Sequence, residues 1–185
     1  ENKDSKGREW VAHKNIPMGR KGPFGVCVRT AVADLDGDGK PEIIIADSDI
    51  EDSKVAVLKN ADGKGGQWNK MELPQSFTYG SLHALAVADF NGDGRPDILV
   101  NEQEELLPSG RENPRWIIWE NLGGNRFAEH IILDSKLGGH ELQVGDVDGD
   151  GDIDICSKAW GPRPWNGNGG KMHVDFLENL WHGRK

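Results

Sequence analysis

The chain has 185 residues, 36% hydrophobic and 29% charged, with a formal net charge of −9, the balance of one soluble globular domain. No apolar run approaches the roughly 20 residues of a membrane-spanning helix. Acidic residues outnumber basic ones 31 to 22 with no basic block, which argues against a nucleic-acid partner.

The opening residues form no charged-then-apolar leader, so the expected form is one whose secretion signal has been removed. Glycine numbers 25 against about 13 expected at about 7% usage, which favours turn-rich β structure. Cys27 and Cys156 cannot build a disulfide framework and are expected to be buried strand residues.

In chain order, the first expected element is an aromatic-led strand from Trp10 to Ile16. The loop PMGRKGPFG follows from Pro17, then the alternating run VRTAVAD, a glycine loop, the β-branched run EIIIAD, and KVAVLKN ending at Asn60. The same order recurs as QWNKMELP, LHALAVAD, a second glycine loop, DILVNE and RWIIWEN ending at Asn121. It recurs again as RFAEHIILD, HELQVGD, a third loop, DICSK and HVDFLEN ending at Asn179.

The leading aromatics Trp10, Trp68 and Phe127 are 58 and 59 residues apart, so the chain reads as one domain, 1–185, of three repeats at 8–66, 67–125 and 126–185. Four short β runs in about 58 residues is the pattern of a β-propeller blade. The fold class is therefore all-β, built of three four-stranded repeats. Three hairpin pairs in a sandwich are the alternative, but a sandwich does not call for such long-range identity.

If each glycine loop joins the first two strands of a blade, the aromatic-led strand is the outermost strand of the preceding blade. The chain would then start on an outermost strand and stop after a third one. Because known propellers have four to eight blades, the expectation is either a piece of a larger propeller or copies that complete one another as homo-oligomers. The strands around Trp10–Ile16 and Val174–Leu180 are the edges such partners would use.

The loops read DLDGDGKPE from Asp34, DFNGDGRPD from Asp89 and DVDGDGDID from Asp146. Side-chain oxygens recur at positions 1, 3, 5 and 9: Asp34, Asp36, Asp38 and Glu42; Asp89, Asn91, Asp93 and Asp97; Asp146, Asp148, Asp150 and Asp154. Position 7, Lys40, Arg95 or Asp152, offers its backbone carbonyl. Such a run supplies the six to eight hard oxygens that Ca²⁺ prefers, so about three Ca²⁺ ions are expected. Glycine at position 6 (Gly39, Gly94, Gly151) allows the positive φ that reverses the loop. An EF-hand would need Glu at position 12, where Ile45, Val100 and Ser157 stand, and helical flanks.

The segments VADLDGDGKPEIIIAD and VADFNGDGRPDILVNE resemble the FG-GAP or VCBS repeats of integrin-type propellers, bacterial and fungal surface proteins, some lectins and some polysaccharide lyases. The resemblance implies a calcium-bearing propeller in an extracellular or periplasmic setting, and it implies no single activity.

In that family's layout the calcium loops lie on one rim, and the loops PMGRKGPFG, PQSFTYGSLH, NEQEELLPSGRENPR and SKAWGPRPWNGNGGKMH lie on the other. Long irregular loops on a rigid scaffold are where binding residues concentrate.

His83 and His140 stand six residues before Asp89 and Asp146, where the first repeat has Val28. With Lys158 they are the candidates for catalysis, as a general base and a cation; the bland alternative is hydrogen bonding to nearby backbone. Trp160 and Trp165 are candidates to stack on a sugar ring, with Arg111, Arg163 and Glu102 as polar ligand contacts. Trp10, Trp68, Trp116 and Trp119 fall inside strand patterns and are expected in the core.

Three function classes follow. One is a module that binds carbohydrate or a surface partner, favoured because no compact catalytic motif is present. The others are a fragment of a polysaccharide lyase-like enzyme and a structural self-assembling unit.

Overall fold

The computed structural model describes residues 1–14, 16, 27–103, 105–161 and 168–181. Among the described residues, eleven strands form three antiparallel sheets. Blade 1 contains β1 (Cys27–Ala33), β2 (Glu42–Ser48), β3 (Val55–Asn60) and β4 (Trp68–Glu72), hydrogen-bonded in that order. Blade 2 repeats it with β5 (Leu82–Ala88), β6 (Asp97–Glu102), β7 (Arg115–Asn121) and β8 (Phe127–Asp134). Blade 3 has β9 (Glu141–Gly145), β10 (Asp154–Lys158) and β11 (Val174–Leu177).

The offset inferred from the repeat phase holds. The Trp68- and Phe127-led strands are the outermost strands of blades 1 and 2, one strand out of step with the sequence repeats.

The Ile/Leu/Val runs form central strands because both faces are covered, as in β6, which is buried along its length. Alternate residues point opposite ways. Ile98 and Val100 pack with Ile44, Ala46, Val55 and Val57 of blade 1, and Leu99 packs with Leu142 and Ile155 of blade 3. Each fully buried aliphatic side chain contributes roughly 1.5–3 kcal/mol. The inner strands neighbour one another in the order β1, β5, β9. The blades thus stack as consecutive propeller-like units, and among the described residues no closed ring is formed.

Two tryptophans follow the expectation and anchor the blades. Trp116 and Trp119 are fully buried, and their indole N–H groups donate to Leu137 O at 2.6 Å and Pro74 O at 2.9 Å. Trp68 is half-buried against Ile45, Ala56 and Leu58.

Trp10 departs from the expectation: it is 69% exposed. Residues 11–14 and 16 form no strand. Instead Trp10 bridges to Asn2, and its indole donates to Gly7 O at 2.9 Å. This repeats the corner at Asn60↔Trp68, where Trp68 donates to Gly65 O at 3.1 Å. Residues 2–10 therefore fold as an outer-strand corner, while Ile16 packs on the cluster of Ile45, Ala56 and Leu58.

The last strand ends at Leu177 rather than near Leu180. Cys156 is half-buried and free; the Cys27 side chain lies outside the described residues.

Candidate functional site

The three acidic loops adopt one geometry. Position 1 takes the glycine N–H of position 6 in each: Gly39 to Asp34 at 2.9 Å, Gly94 to Asp89 at 2.8 Å and Gly151 to Asp146 at 3.1 Å. These glycines have φ of 80°, 85° and 100°, the left-handed region that a side chain disfavours.

Position 9 ties the second and third loops to the sheet. Asp97 accepts from Phe90 N at 3.1 Å and Asn121 N at 2.8 Å, and Asp154 accepts from Val147 N and Asn179 N, both at 2.9 Å. The amides of Asn121 and Asn179 then reach the preceding blade's loop, donating to Leu35 O at 2.7 Å and Phe90 O at 3.0 Å. The strand-ending asparagines Asn121 and Asn179 thus lock blades 2 and 3 to the loop of the blade before.

The donor set fits a hard cation. Ligand oxygens of Asp34, Asp36 and Glu42 lie within 4.8 Å of one another, as do those of Asp146, Asp148 and Asp154. Glu42 is only 2% exposed. Its Oε2 accepts from Leu35 N at 2.9 Å, while Oε1 is buried with no hydrogen-bond partner. Burial raises the Glu42 carboxyl above its ordinary pKa, with Leu35 N–H opposing. A buried carboxylate oxygen without a donor is costly unless a cation meets it, and neither His nor Cys is in these loops to favour zinc. Asp34, Asp36, Asp38, Glu42 and their counterparts would hold Ca²⁺, with Lys40, Arg95 and Asp152 offering carbonyls.

At the opposite end of the inner strands, the blades bring together residues far apart in sequence. His83 and His140 stack with ring centroids 3.9 Å apart, and Trp160 lies 4.3 Å from His140. His83 is 6% exposed. Its Nδ1 faces the Arg29 guanidinium, and its Nε2 lies 3.2 Å from Asp49 Oδ1. Lys158 donates to Ala159 O at 3.0 Å. Trp160 remains 50% exposed.

Burial, then the positive charges of His83, Arg29 and Lys158, lower the His140 pKa to about 4. The unfolded chain takes up this proton below about pH 6.5, while the folded one resists until about pH 4. The contribution is therefore complete above pH 6.5 and declines as pH falls through that window. Between pH 7 and 5 the parent should lose more of its urea midpoint than His140→Gln; equal losses would refute the assignment.

Not every residue singled out in the sequence joins this cluster. Glu102 is fully buried, accepting from Arg115 Nε at 2.9 Å, Arg115 Nη2 at 2.7 Å, Arg115 N at 2.8 Å and Gly80 N at 2.7 Å. Its lone pairs are committed to the scaffold, which corrects its assignment as a ligand contact. Arg111 pairs with Asp134 at 2.8 Å, at the end of the outermost strand β8, away from the inner-strand cluster. Arg163 and Trp165 lie outside the described residues.

Arg29 and Asp49 were missed, although Arg29 is the single charge in the otherwise uncharged β1, CVRTAVA.

A further groove of about 660 Å³ opens between blades 2 and 3, lined by Ile118, Ile132, Ile153, Ile155, Leu177 and Trp181 among others. It lies beside the second acidic loop, and Trp181 packs over Gly92 so closely that a Cβ there would sit 2.4 Å from the ring.

Loop, glycine turn and paired strands recur together from blade to blade. Residues 34–100 match a family model described as the FG-GAP-like repeat. The matched FG-GAP stretch runs from the first residue of the blade 1 loop through the blade 2 loop and into β6, and it supports the FG-GAP repeat family for these blades. No curated protein matches the chain. Among the described residues, no helix is long and apolar enough to cross a membrane.

Proposed function

We propose that the chain is a calcium-binding FG-GAP module of an extracellular or periplasmic protein, and that its rim opposite the calcium loops binds a glycan or a glycan-bearing surface partner. The carrying observation is the ring stack of His83, His140 and half-exposed Trp160, flanked by Arg29 and Lys158. An exposed indole face beside cations suits a sugar ring bearing a carboxylate or sulfate, since aromatic faces stack on apolar ring faces and charged donors pair with anions. His140, held neutral well below pH 6, suits recognition better than proton abstraction, because an efficient general base has a pKa near the working pH.

A glycan array probed with the parent and Trp160→Ala tests the reading. Binding should be lost in the variant with its thermal midpoint unchanged. Retained binding by Trp160→Ala removes the site assignment, and selective turnover of a uronic-acid polymer, abolished in His140→Gln, favours the lyase alternative.

Self-assembly has its own specific support. In blades 1 and 2 the third strand pairs with an aromatic-led strand, with Asn60↔Trp68 and Asn121↔Phe127 in register. β11 has no such partner among the described residues, and the groove beside it is largely apolar.

The proposed occupant is the Trp10–Lys14 segment of a second copy. Carrying the blade 2 register over places Trp10 opposite Asn179 and Lys14 opposite Asp175, whose Oδ2 is buried without a hydrogen-bond partner. The exchange trades Asn2↔Trp10 for Asn179↔Trp10. Light scattering after size exclusion should give the mass of at least a dimer, shifted toward 20.4 kDa by Trp10→Ala; a parent that stays monomeric at high concentration overturns it.

A further inference from the structure

We infer that the three acidic loops are unequal calcium sites, and that Lys59 is a tethered cation competing with the ion for the first of them. The inference rests on the calcium reading above and concerns how strongly each loop takes its ion.

In blades 1 and 2 the residue before the closing asparagine, Lys59 or Glu120, delivers its side chain to the loop beside it. The aligned residue in blade 3 is Glu178, just past β11. In blade 1 the Lys59 ammonium contacts Asp36 and lies 3.5 Å from Asp38 Oδ2, at loop positions 3 and 5. In blade 2 the Glu120 carboxylate accepts from Asn91 Nδ2 at 3.2 Å, at loop position 3. One register position therefore brings a positive charge to the first loop and a negative charge to the second.

Position 7 grades the loops in the same direction. It is Lys40 in the first, Arg95 in the second, where the guanidinium pairs with Asp93, and Asp152 in the third. The first loop sets two cations against four carboxylates. The second sets one cation against three loop carboxylates and Glu120. In the third, position 7 adds a fifth loop carboxylate, Asp152, and the residue aligned with Lys59 is Glu178.

Affinity for Ca²⁺ rises with the charge count of the ligands. An ion entering the first loop must also displace the Lys59 ammonium from Asp36. Yet that loop is built to take a cation: Glu42 Oε1 is buried without a partner, and a carboxylate oxygen of Glu42 lies within 4.8 Å of oxygens of Asp34 and Asp36. The first loop is therefore the weakest of the three. While calcium is scarce Lys59 neutralises the first loop, so blade 1 keeps its fold over a calcium range in which the other two loops are already filled.

Calorimetric titration of the metal-stripped 1–185 chain with calcium chloride tests this. The parent should fill two sites before a third that is at least tenfold weaker. Lys59→Glu should bring the weak site within tenfold of the others, and Glu120→Lys should leave one tight site instead of two. Asp36→Ala, which disables the first loop, should remove the weak class alone. Lys59 is partly exposed, so its replacement leaves the core intact, and far-ultraviolet circular dichroism of each variant checks this. Three indistinguishable sites in the parent, or a weak site unmoved by Lys59→Glu, overturns the inference while the calcium reading stands. No binding by the parent or any variant overturns the calcium reading itself, and the ranking with it.

Discussion

Chelation of calcium by EGTA lowers the thermal midpoint of the chain by about 10 °C or more. An ion bound only by the native state stabilises it by about 2.7 kcal/mol per site at 100 times its dissociation constant. Each kcal/mol shifts the midpoint of a chain of this size by about 2–4 °C. Two filled sites therefore account for the expected fall. The loss has a structural route: Asp97 and Asp154 hold their own loop amides and the backbone N–H of Asn121 and Asn179, and those asparagines reach the preceding blade. An empty loop loosens a blade contact as well as a turn. Magnesium should restore less than calcium, because it demands a tighter octahedron than these loops offer. Superimposable melting curves with and without EGTA would show that calcium does not stabilise the fold.

Glu102→Gln destabilises the chain by about 3–5 kcal/mol, the cost of leaving a buried charge without its partner. The Arg115 guanidinium, almost fully buried, pairs with Glu102 through two nitrogens, donates to Thr78 O at 2.6 Å and lies 4.5 Å from the Tyr79 ring centroid. Glutamine keeps the shape and removes the charge, so the loss reads the ion pair rather than packing. The double variant Glu102→Gln/Arg115→Met should recover part of it, since no unpaired charge remains. Urea unfolding measures both. A loss under about 1 kcal/mol for Glu102→Gln would mean that water reaches this pair and that Glu102 is open to a ligand.

Much of the blade was legible locally. Runs such as EIIIAD and DILVNE declared strands covered on both faces, and the threefold Dx(D/N)GDG spacing declared loops whose glycines need positive φ. Those features depend on residues within a few positions of one another, and their recurrence about every 58 residues confirmed each reading against the other two. Trp10 was misread because its strand pattern is as good as that of Trp68. Strand propensity is realised only beside a partner, and blade 1 gives Trp68 the β3 edge, while Trp10 finds only the short corner at Asn2. Glu102 was misread because a loop-end glutamate looks solvated until its partner, Arg115, arrives across the sheet.

The sequence by itself determined the all-β class, the three repeats, the offset between repeat and sheet, and the oxygen-rich loops, because each is written in local periodicity and repetition. Only the tertiary structure decided which charges meet. Arg29 reaches His83 across 54 residues, and Asn121 reaches Leu35 O across 86. His83 and His140 stack because β5 and β9 lie side by side. Lys59 enters the first loop because β3 runs beside it. Such pairings are set by how far one blade is rotated and shifted against the next, which the packing of whole apolar faces settles and no single segment encodes.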